Sequence, residues 1–109
     1  TSPRAAKKKW IAGALSPSGN LIIDEGAQKA LKSGKSLLPA GVVRIEGEFN
    51  RGDTVRVSTT DGQEISRGLV AYNMQDAKKI AGFKSSEIEQ ILGYSEREEL
   101  IHRSDMVMS

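Results

Sequence analysis

The sequence has no cysteine, few aromatic residues and no long apolar run. Without cysteine the chain can form neither a disulfide framework nor a thiolate metal site, and this composition fits a cytoplasmic protein. No apolar run approaches the roughly 18 residues that a membrane-spanning helix needs, so we expect a soluble protein with no membrane partner. A single histidine, His102, leaves no paired-histidine ligand set or triad. We therefore predict no metal site and no catalytic residue.

Length, glycine content and charge indicate one β-rich domain. A chain of 109 residues lies in the size range of a single domain, and its 11 glycines indicate many tight turns. Residues 1–44 carry eight lysines and arginines against two acids, whereas residues 45–109 carry eight against twelve. A basic half can mark a polyanionic partner, but a lysine-rich tail and one solvated helix face account for the same charge.

The first nine residues (TSPRAAKKK) contain no large apolar side chain and end in three lysines. We interpret residues 1–9 as a tail or linker and place the folded domain at residues 10–109. The first residue is Thr1 rather than methionine, from which we expect a processed product or an excised fragment.

Two strands and a helix are predicted at the start of the domain. Residues 10–15 (WIAGAL) and 21–23 (LII) predict strands on either side of a turn at residues 16–20 (SPSGN). Asp24 is placed to cap the following helix, residues 25–33, through its side chain. The helix is expected to bury residues at i, i+3 and i+4 spacing, Ala27, Ala30 and Leu31. Gly34 is predicted to end it in the left-handed conformation.

Three consecutive strands follow, at residues 41–49, 54–59 and 63–72, because apolar and polar residues alternate there with a period of two. Residues 50–53 (NRGD) predict a turn, and Asp-Gly at 61–62 predicts a hairpin. The first of the three strands is expected to bury Val43, Ile45 and Phe49.

Two short helices and a last strand are predicted at the C-terminal end. Asn73 is placed to cap a helix that reaches residue 81, and Ser86 with Glu89 predicts a capping box for a helix at residues 87–92. Each helix is followed by a glycine suited to end it, Gly82 and Gly93.

The chain ends with a predicted strand at residues 100–108, in which His102 is expected to be hydrogen-bonded at the sheet edge. Consecutive antiparallel strands with helices at the corners favour a small, partly closed barrel. The fold class is therefore predicted to be mainly β with short α-helices, a mixed pseudo-barrel.

Several segments resemble a known family. They are KWIAG (9–13), DEGA (24–27), AL (30–31), SLLPAGV (36–42), EGEFNRGD (46–53), GLVAY (68–72), EIEQILGY (87–94) and HR (102–103). Over residues 9–109 the sequence resembles the C-terminal PUA domain of bacterial glutamate 5-kinases, and Ser104 stands where the family pattern has an acid. The residues that form the structural motif are Asp24, Gly26, Gly34, Gly41, Gly52 and Asp53.

The resemblance implies a PUA fold and an accessory, non-catalytic role. The parent protein is then an ATP- and Mg²⁺-dependent enzyme that phosphorylates the γ-carboxylate of L-glutamate in proline biosynthesis. No cofactor is implied for this chain, because the ATP and glutamate sites of the family lie in an amino-acid-kinase domain. The implied partners are that domain of the same parent chain and, through the parent, further copies of the protein.

An alternative function is RNA binding through the basic face of the first predicted helix. In PUA domains that bind RNA, this helix and the loop after it meet the phosphate backbone, and lysines suit that role as point charges. The candidate nucleic-acid contacts are Lys29, Lys32, Lys35 and Arg44. Aromatic stacking platforms are scarce, and most of the five aromatic residues are interpreted as core: Trp10, Phe49, Tyr72, Phe83 and Tyr94.

Overall fold

The structure is a computed structural model that describes residues 17–95 and 97–108. In that part of the chain, five strands form one sheet that carries three short helices. The strands are β1 (Gly19–Ile23), β2 (Val42–Gly47), β3 (Thr54–Thr59), β4 (Glu64–Leu69) and β5 (Met106–Met108). The helices are α1 (Glu25–Lys32), α2 (Met74–Ile80) and α3 (Ile88–Leu92). The predicted tail and the predicted strand at residues 10–15 lie outside the described residues.

The strand order in the sheet is β2-β1-β3-β4-β5. β1 pairs antiparallel with β2 and parallel with β3, whereas the β3–β4 and β4–β5 pairs are antiparallel. The sheet is therefore mixed, as predicted. The expected antiparallel pairing of β2 with β3 is wrong, because the chain turns back through α1 and β1 lies between these two strands in the sheet.

Sequence-local signals fix both ends of α1. The Asp24 carboxylate accepts a hydrogen bond from the Ala27 amide at 2.8 Å, which satisfies one of the free donors of the first turn. Gly34 has a φ of +83°, and its amide and the next one donate back to carbonyls of the last helical turn. Both predicted caps are confirmed, and Leu31 is the fully buried residue of this helix.

β1 begins at Gly19, two residues earlier than predicted. A Cβ on Gly19 would lie 2.5 Å from Cδ2 of the buried Phe49 ring, so this glycine allows a close approach rather than a turn. β4 is shorter than the predicted 63–72 and ends at Leu69. The presence of these strands was predictable from the sequence, whereas the residues at which they begin and end depend on tertiary contacts.

At the start of β2, Val42 rather than Val43 enters the core. The β1–β2 register shifts between Ile22 and Ile23, which leaves Val43 as the extra residue of a β-bulge. Val43 is 55% exposed and Val42 only 2%. The prediction of a buried Val43 is wrong, because a bulge moves the residues beyond it to the opposite face. The other two predicted core residues of this segment are buried, Ile45 and Phe49.

Several local signals in the second half of the chain are confirmed. Gly62 has a φ of +91° and its amide donates to the Thr59 carbonyl at 3.0 Å, which closes the hairpin between β3 and β4. The Asn73 side chain accepts from the Asp76 amide at 2.8 Å and caps α2. The glycines after the two C-terminal helices both have positive φ, Gly82 and Gly93.

The capping box predicted for α3, Ser86 with Glu89, is wrong. The Glu87 carboxylate accepts from the Lys84 amide at 3.1 Å instead. A 3₁₀ turn at Ser85–Glu87 precedes α3, so the helical path begins two residues earlier than the sequence pattern indicated.

The predicted strand at residues 100–108 is interrupted. Ile101 forms an isolated bridge with Leu37, a 3₁₀ turn occupies Arg103–Asp105, and only β5 continues the sheet. His102 is therefore not a strand residue. Its Nδ1 accepts from the Ser104 amide at 3.1 Å and lies 2.7 Å from the Ser104 hydroxyl, so the residue caps this turn.

The core is formed by residues of the sheet, the helices and the segments between them, and it includes two of the aromatic residues. Phe49 and Tyr72 are buried as expected. Phe83 and Tyr94 are 49% and 42% exposed, so these two of the five aromatic residues are not part of the core. Tyr94 instead packs its ring against Tyr72 and donates its hydroxyl to the Asp76 carboxylate. Trp10 lies outside the described residues.

Candidate nucleic-acid interface

Helix α1 presents a polar face that borders the β3–β4 hairpin. A depression of about 490 Å³ lies between them. It is lined by Ile23, Glu25, Gln28, Lys29, Lys32 and Thr59–Asp61. Its charged groups are two lysines and two carboxylates, so the positive charge of the lysines is balanced within the depression.

The opposite face of α1 is apolar and borders the segment before β2. Here a groove of about 320 Å³ is lined by the small residues of α1, by residues 35–38 and 40–41, and by Glu99. A Cβ on Gly41 would lie 2.5 Å from the Ala27 Cβ, so only glycine lets this segment approach the helix so closely. The amide of Asp24 also donates to the Gly41 carbonyl at 2.9 Å. The groove therefore depends on a motif residue, Gly41, and Ala30 lines it rather than joining the core.

The four predicted contact residues do not share one surface. Lys29 and Lys32 line the polar depression, whereas Lys35 lines the apolar groove. Arg44 lies on β2 and lines neither of these two sites.

Two of the four predicted cations have acidic partners. The Lys29 ammonium lies 3.8 Å from Glu25, and the Arg44 guanidinium lies 3.1 Å from Glu46. The side chains of both ion pairs are well exposed. Ion pairs at the protein surface contribute little to stability. Lys32 and Lys35 make no ion pair with the described residues. The basic face is therefore partly neutralised, and a role of these residues in RNA contact stays a prediction.

The apolar groove was missed from the sequence, because it is formed by two segments that the pattern treats separately. The signal was the run of small residues on one helix face, Gly26, Ala27 and Ala30, of which only the last two were assigned to the core. Leu38 was a further sign, since it is 46% exposed beside this groove.

Metal binding would need a cluster of ligating side chains, and membrane insertion would need a long apolar helix. Among residues 17–95 and 97–108, no group of three or more histidine and acidic side chains is placed to hold a metal ion. Within the same residues, no helix has the length and apolar character needed to cross a membrane.

Among curated proteins, the chain is similar to glutamate 5-kinases. It is 61% identical over 107 residues to the one from Brucella anthropi, a match that covers 98% of this chain and 28% of that protein. The identity to the Brucella ovis protein is 59% over the same length, with the same coverage. The chain therefore spans little more than a quarter of the length of these relatives.

Among solved structures, the chain is similar to a PUA domain and to a chain of an archaeal complex. One is a PUA domain from Aeropyrum pernix K1 in complex with tartrate, with a TM-score of 0.58 and 22% identity over 78% of this chain and 41% of that chain. Another belongs to the archaeal box H/ACA sRNP Nop10–Cbf5 complex, with a TM-score of 0.53 and 19% identity over 84% of this chain and 23% of that chain. Identity this low shows the fold alone.

The sequence profile of the PUA domain family matches residues 19–92, from the first residue of β1 to the last of α3. The match includes the capped helix α1, four of the five strands, and Gly41, which lets the segment before β2 approach the helix closely. These findings confirm the predicted PUA fold, and the chain belongs to the PUA domain family.

Proposed function

We propose that this chain is the accessory PUA domain of a glutamate 5-kinase and has no catalytic activity of its own. The observation that carries the proposal is the 61% identity, over 98% of the chain, to the C-terminal region of the Brucella enzyme. Because a PUA fold is compatible with much lower identity, 22% in the Aeropyrum domain, conservation at this level favours a shared partner as well as a shared fold.

That partner is the amino-acid-kinase domain of the same parent protein, which would bind ATP, Mg²⁺ and L-glutamate. Phosphoryl transfer needs metal ligands and a cradle for the phosphates. No acidic cluster that could hold Mg²⁺ exists among the described residues of this chain. The chain would then act on the kinase domain by contact, within a cytoplasmic enzyme of proline biosynthesis that assembles into oligomers.

A domain exchange tests this proposal. We expect the Brucella anthropi enzyme to keep its ATP-dependent phosphorylation of L-glutamate when this chain replaces its own PUA segment, because the two segments are 61% identical. The matched control places the Aeropyrum pernix PUA domain at the same junction, where we expect reduced turnover. The isolated chain alone should show no turnover.

Two outcomes would contradict the proposal. One is an exchange protein that folds but loses activity with this chain, because the two domains would then not be matched. The other is glutamate phosphorylation by the isolated chain that disappears when one of its own residues is replaced.

A second candidate function is RNA binding, and the exposed Lys32 and Lys35 favour it. Neither lysine makes an ion pair with the described residues, and Lys35 stands beside the apolar groove. Of the structural neighbours, the Nop10–Cbf5 complex belongs to an RNA-containing particle. Because Lys29 and Arg44 have acidic partners, we expect only weak, non-specific binding that falls steeply with salt.

Replacing Lys32 and Lys35 together by glutamate should weaken binding to structured RNA. For each phosphate that the variant no longer neutralises, the slope of log K against log salt should become less steep by about 0.7–0.9. Fluorescence anisotropy at several salt concentrations measures both quantities.

The control is Lys78→Glu with Lys79→Glu, which makes the same charge change on α2 and should have a smaller effect. Equal effects of the two double variants would contradict this RNA surface, whereas submicromolar, sequence-selective binding at physiological salt would make RNA binding the leading function.

A further inference from the structure

Three large apolar side chains are exposed where the end of α2 meets the segment before β2. They are Leu38, Val43 and Phe83, which are 46%, 55% and 49% exposed. Each therefore keeps about half of its apolar surface in contact with water. Because Phe83 is far in sequence from the other two, the surface that they share exists only in the folded chain.

Gly82 holds the two segments together. Its amide donates to the Pro39 carbonyl at 2.8 Å, and a Cβ on it would lie 3.9 Å from the Val42 carbonyl oxygen. The three exposed residues are the immediate chain neighbours of these three, since Leu38 precedes Pro39, Val43 follows Val42 and Phe83 follows Gly82. Their side chains thus start from adjacent points of the backbone.

This surface continues the apolar groove beside α1. Leu38 and the exposed Ala40 line that groove. Val43 is the bulge residue of β2, which is an edge strand of the sheet. We call the side chains of Leu38, Ala40, Val43 and Phe83 the apolar patch. Joined apolar surface of this kind on a folded domain marks a contact site.

Two exposed lysines border the apolar patch and the groove. Lys35 lines the groove, and Lys84 follows Phe83 in the chain. Neither makes an ion pair with the residues that the structure describes. A surface that fits would present apolar side chains at its centre and carboxylates at its rim, which is the usual arrangement of a protein–protein contact.

We propose that the apolar patch docks the amino-acid-kinase domain of the same parent protein, an inference that rests on the proposed function. The chain matches only 28% of the length of the Brucella anthropi enzyme, at its C-terminal region. The kinase domain would then be joined to this chain upstream of β1.

The size of the apolar patch favours a joined domain over a second copy of the chain. Even a whole aromatic side chain buries only about 150–250 Å², so the patch offers on the order of a few hundred Å². A stable complex between free molecules buries roughly 1,200–2,000 Å² in total. A domain on the same polypeptide is present at an effective concentration in the millimolar range, where a smaller contact is enough.

The apolar patch is also close to the point where the chain enters the sheet. β1 begins at Gly19 and ends at Ile23, which pairs with Val42 beside the patch. Four strand residues span about 13 Å, so a domain joined upstream of β1 is near enough to reach this surface.

Photo-cross-linking tests the docking in the Brucella anthropi enzyme that carries this chain. We expect p-benzoylphenylalanine in place of Phe83 to cross-link, within one polypeptide, to a kinase-domain peptide that contains apolar and acidic residues. Peptide mass spectrometry identifies that peptide. The same photoreactive residue in place of Gln63, exposed beside the β3–β4 turn, should give roughly a tenth of this yield or less.

Cross-linking needs no turnover, so its result is separate from the activity that tests the proposed function. An inactive exchange protein that gives the expected cross-link would contradict the kinase assignment and support the docking. An active exchange protein without it would overturn the docking alone. Cross-links from position 83 only to residues 1–16, to the PUA segment of a second copy or to bound RNA would also overturn the docking.

Charged variants show whether the apolar patch carries the contact. Leu38→Asp with Val43→Asp should lower the cross-link yield from position 83 roughly tenfold, because burying an unpaired charge is costly. The control, Thr60→Asp with Gln63→Asp, makes the same charge change beside the β3–β4 turn and should leave the yield unchanged. An equal loss with the control would contradict the proposal. If the first pair disturbs the fold, Leu38→Ser with Val43→Ser should still lower the yield roughly threefold, and an unchanged yield would overturn the docking.

Discussion

Replacing Leu31 by alanine is expected to lower the free energy of unfolding by about 2–5 kcal/mol, the range for removing a buried leucine side chain. Leu31 is 1% exposed and is the only fully buried residue of α1 among those described. The helix has eight residues, too few to be stable in water by itself. Its attachment to the sheet therefore depends on this side chain, and truncating it should also disturb both sites that border α1.

Urea denaturation followed by circular dichroism measures this change in stability. The control is Leu38→Ala, which removes the same atoms from a side chain that is 46% exposed and should change stability by only about 0.5 kcal/mol. A similar destabilisation by both variants would show that α1 is not anchored mainly by Leu31.

Gly68→Ala is expected to destabilise the domain by about 1–3 kcal/mol, the typical cost of overpacking a core. Gly68 pairs with Val55 on one side and with Met106 on the other. An added Cβ would lie 2.5 Å from Cγ2 of the buried Ile101 and 2.9 Å from the Asp105 carbonyl oxygen. Neither neighbour is the end of a flexible chain, so β5 must move away from β4.

Thermal unfolding of Gly68→Ala should be compared with that of Gly26→Ala. Gly26 lies in the first turn of α1, where an added Cβ would meet only the Asp24 carboxylate oxygen, at an ordinary 3.5 Å. Alanine there should be neutral or stabilise by up to about 1 kcal/mol, because glycine is the poorer helix former. A Gly68→Ala protein as stable as the unmodified chain would mean that β5 is not held tightly against β4.

Features that depend on a few neighbouring residues could be predicted from the sequence. Asp24 and Asn73 cap the helices that follow them, and Gly34 ends α1, because each acts on backbone groups within one turn. The Asp61-Gly62 hairpin is local in the same way. The family resemblance then gave the fold as a whole.

Features that depend on distant residues could not be predicted. Val43 leaves the core because of its register with β1, which alternation within β2 does not contain. The parallel pairing of β1 with β3 is a property of the whole path of the chain. The candidate site was predicted only as separate cations, because the sequence does not show that Lys35 lies on a different face from Lys29.

The position of β1 in the sheet also affects how the domain folds. Its neighbours β2 and β3 both follow it in the chain, and the parallel partner is reached only after α1 and β2. The β3–β4 hairpin can close quickly by itself, whereas β1 must close long loops before either pairing offsets the conformational entropy that closure removes. High contact order of this kind slows folding. On the ribosome, the first of these strands to be made is therefore among the last to complete its hydrogen bonds.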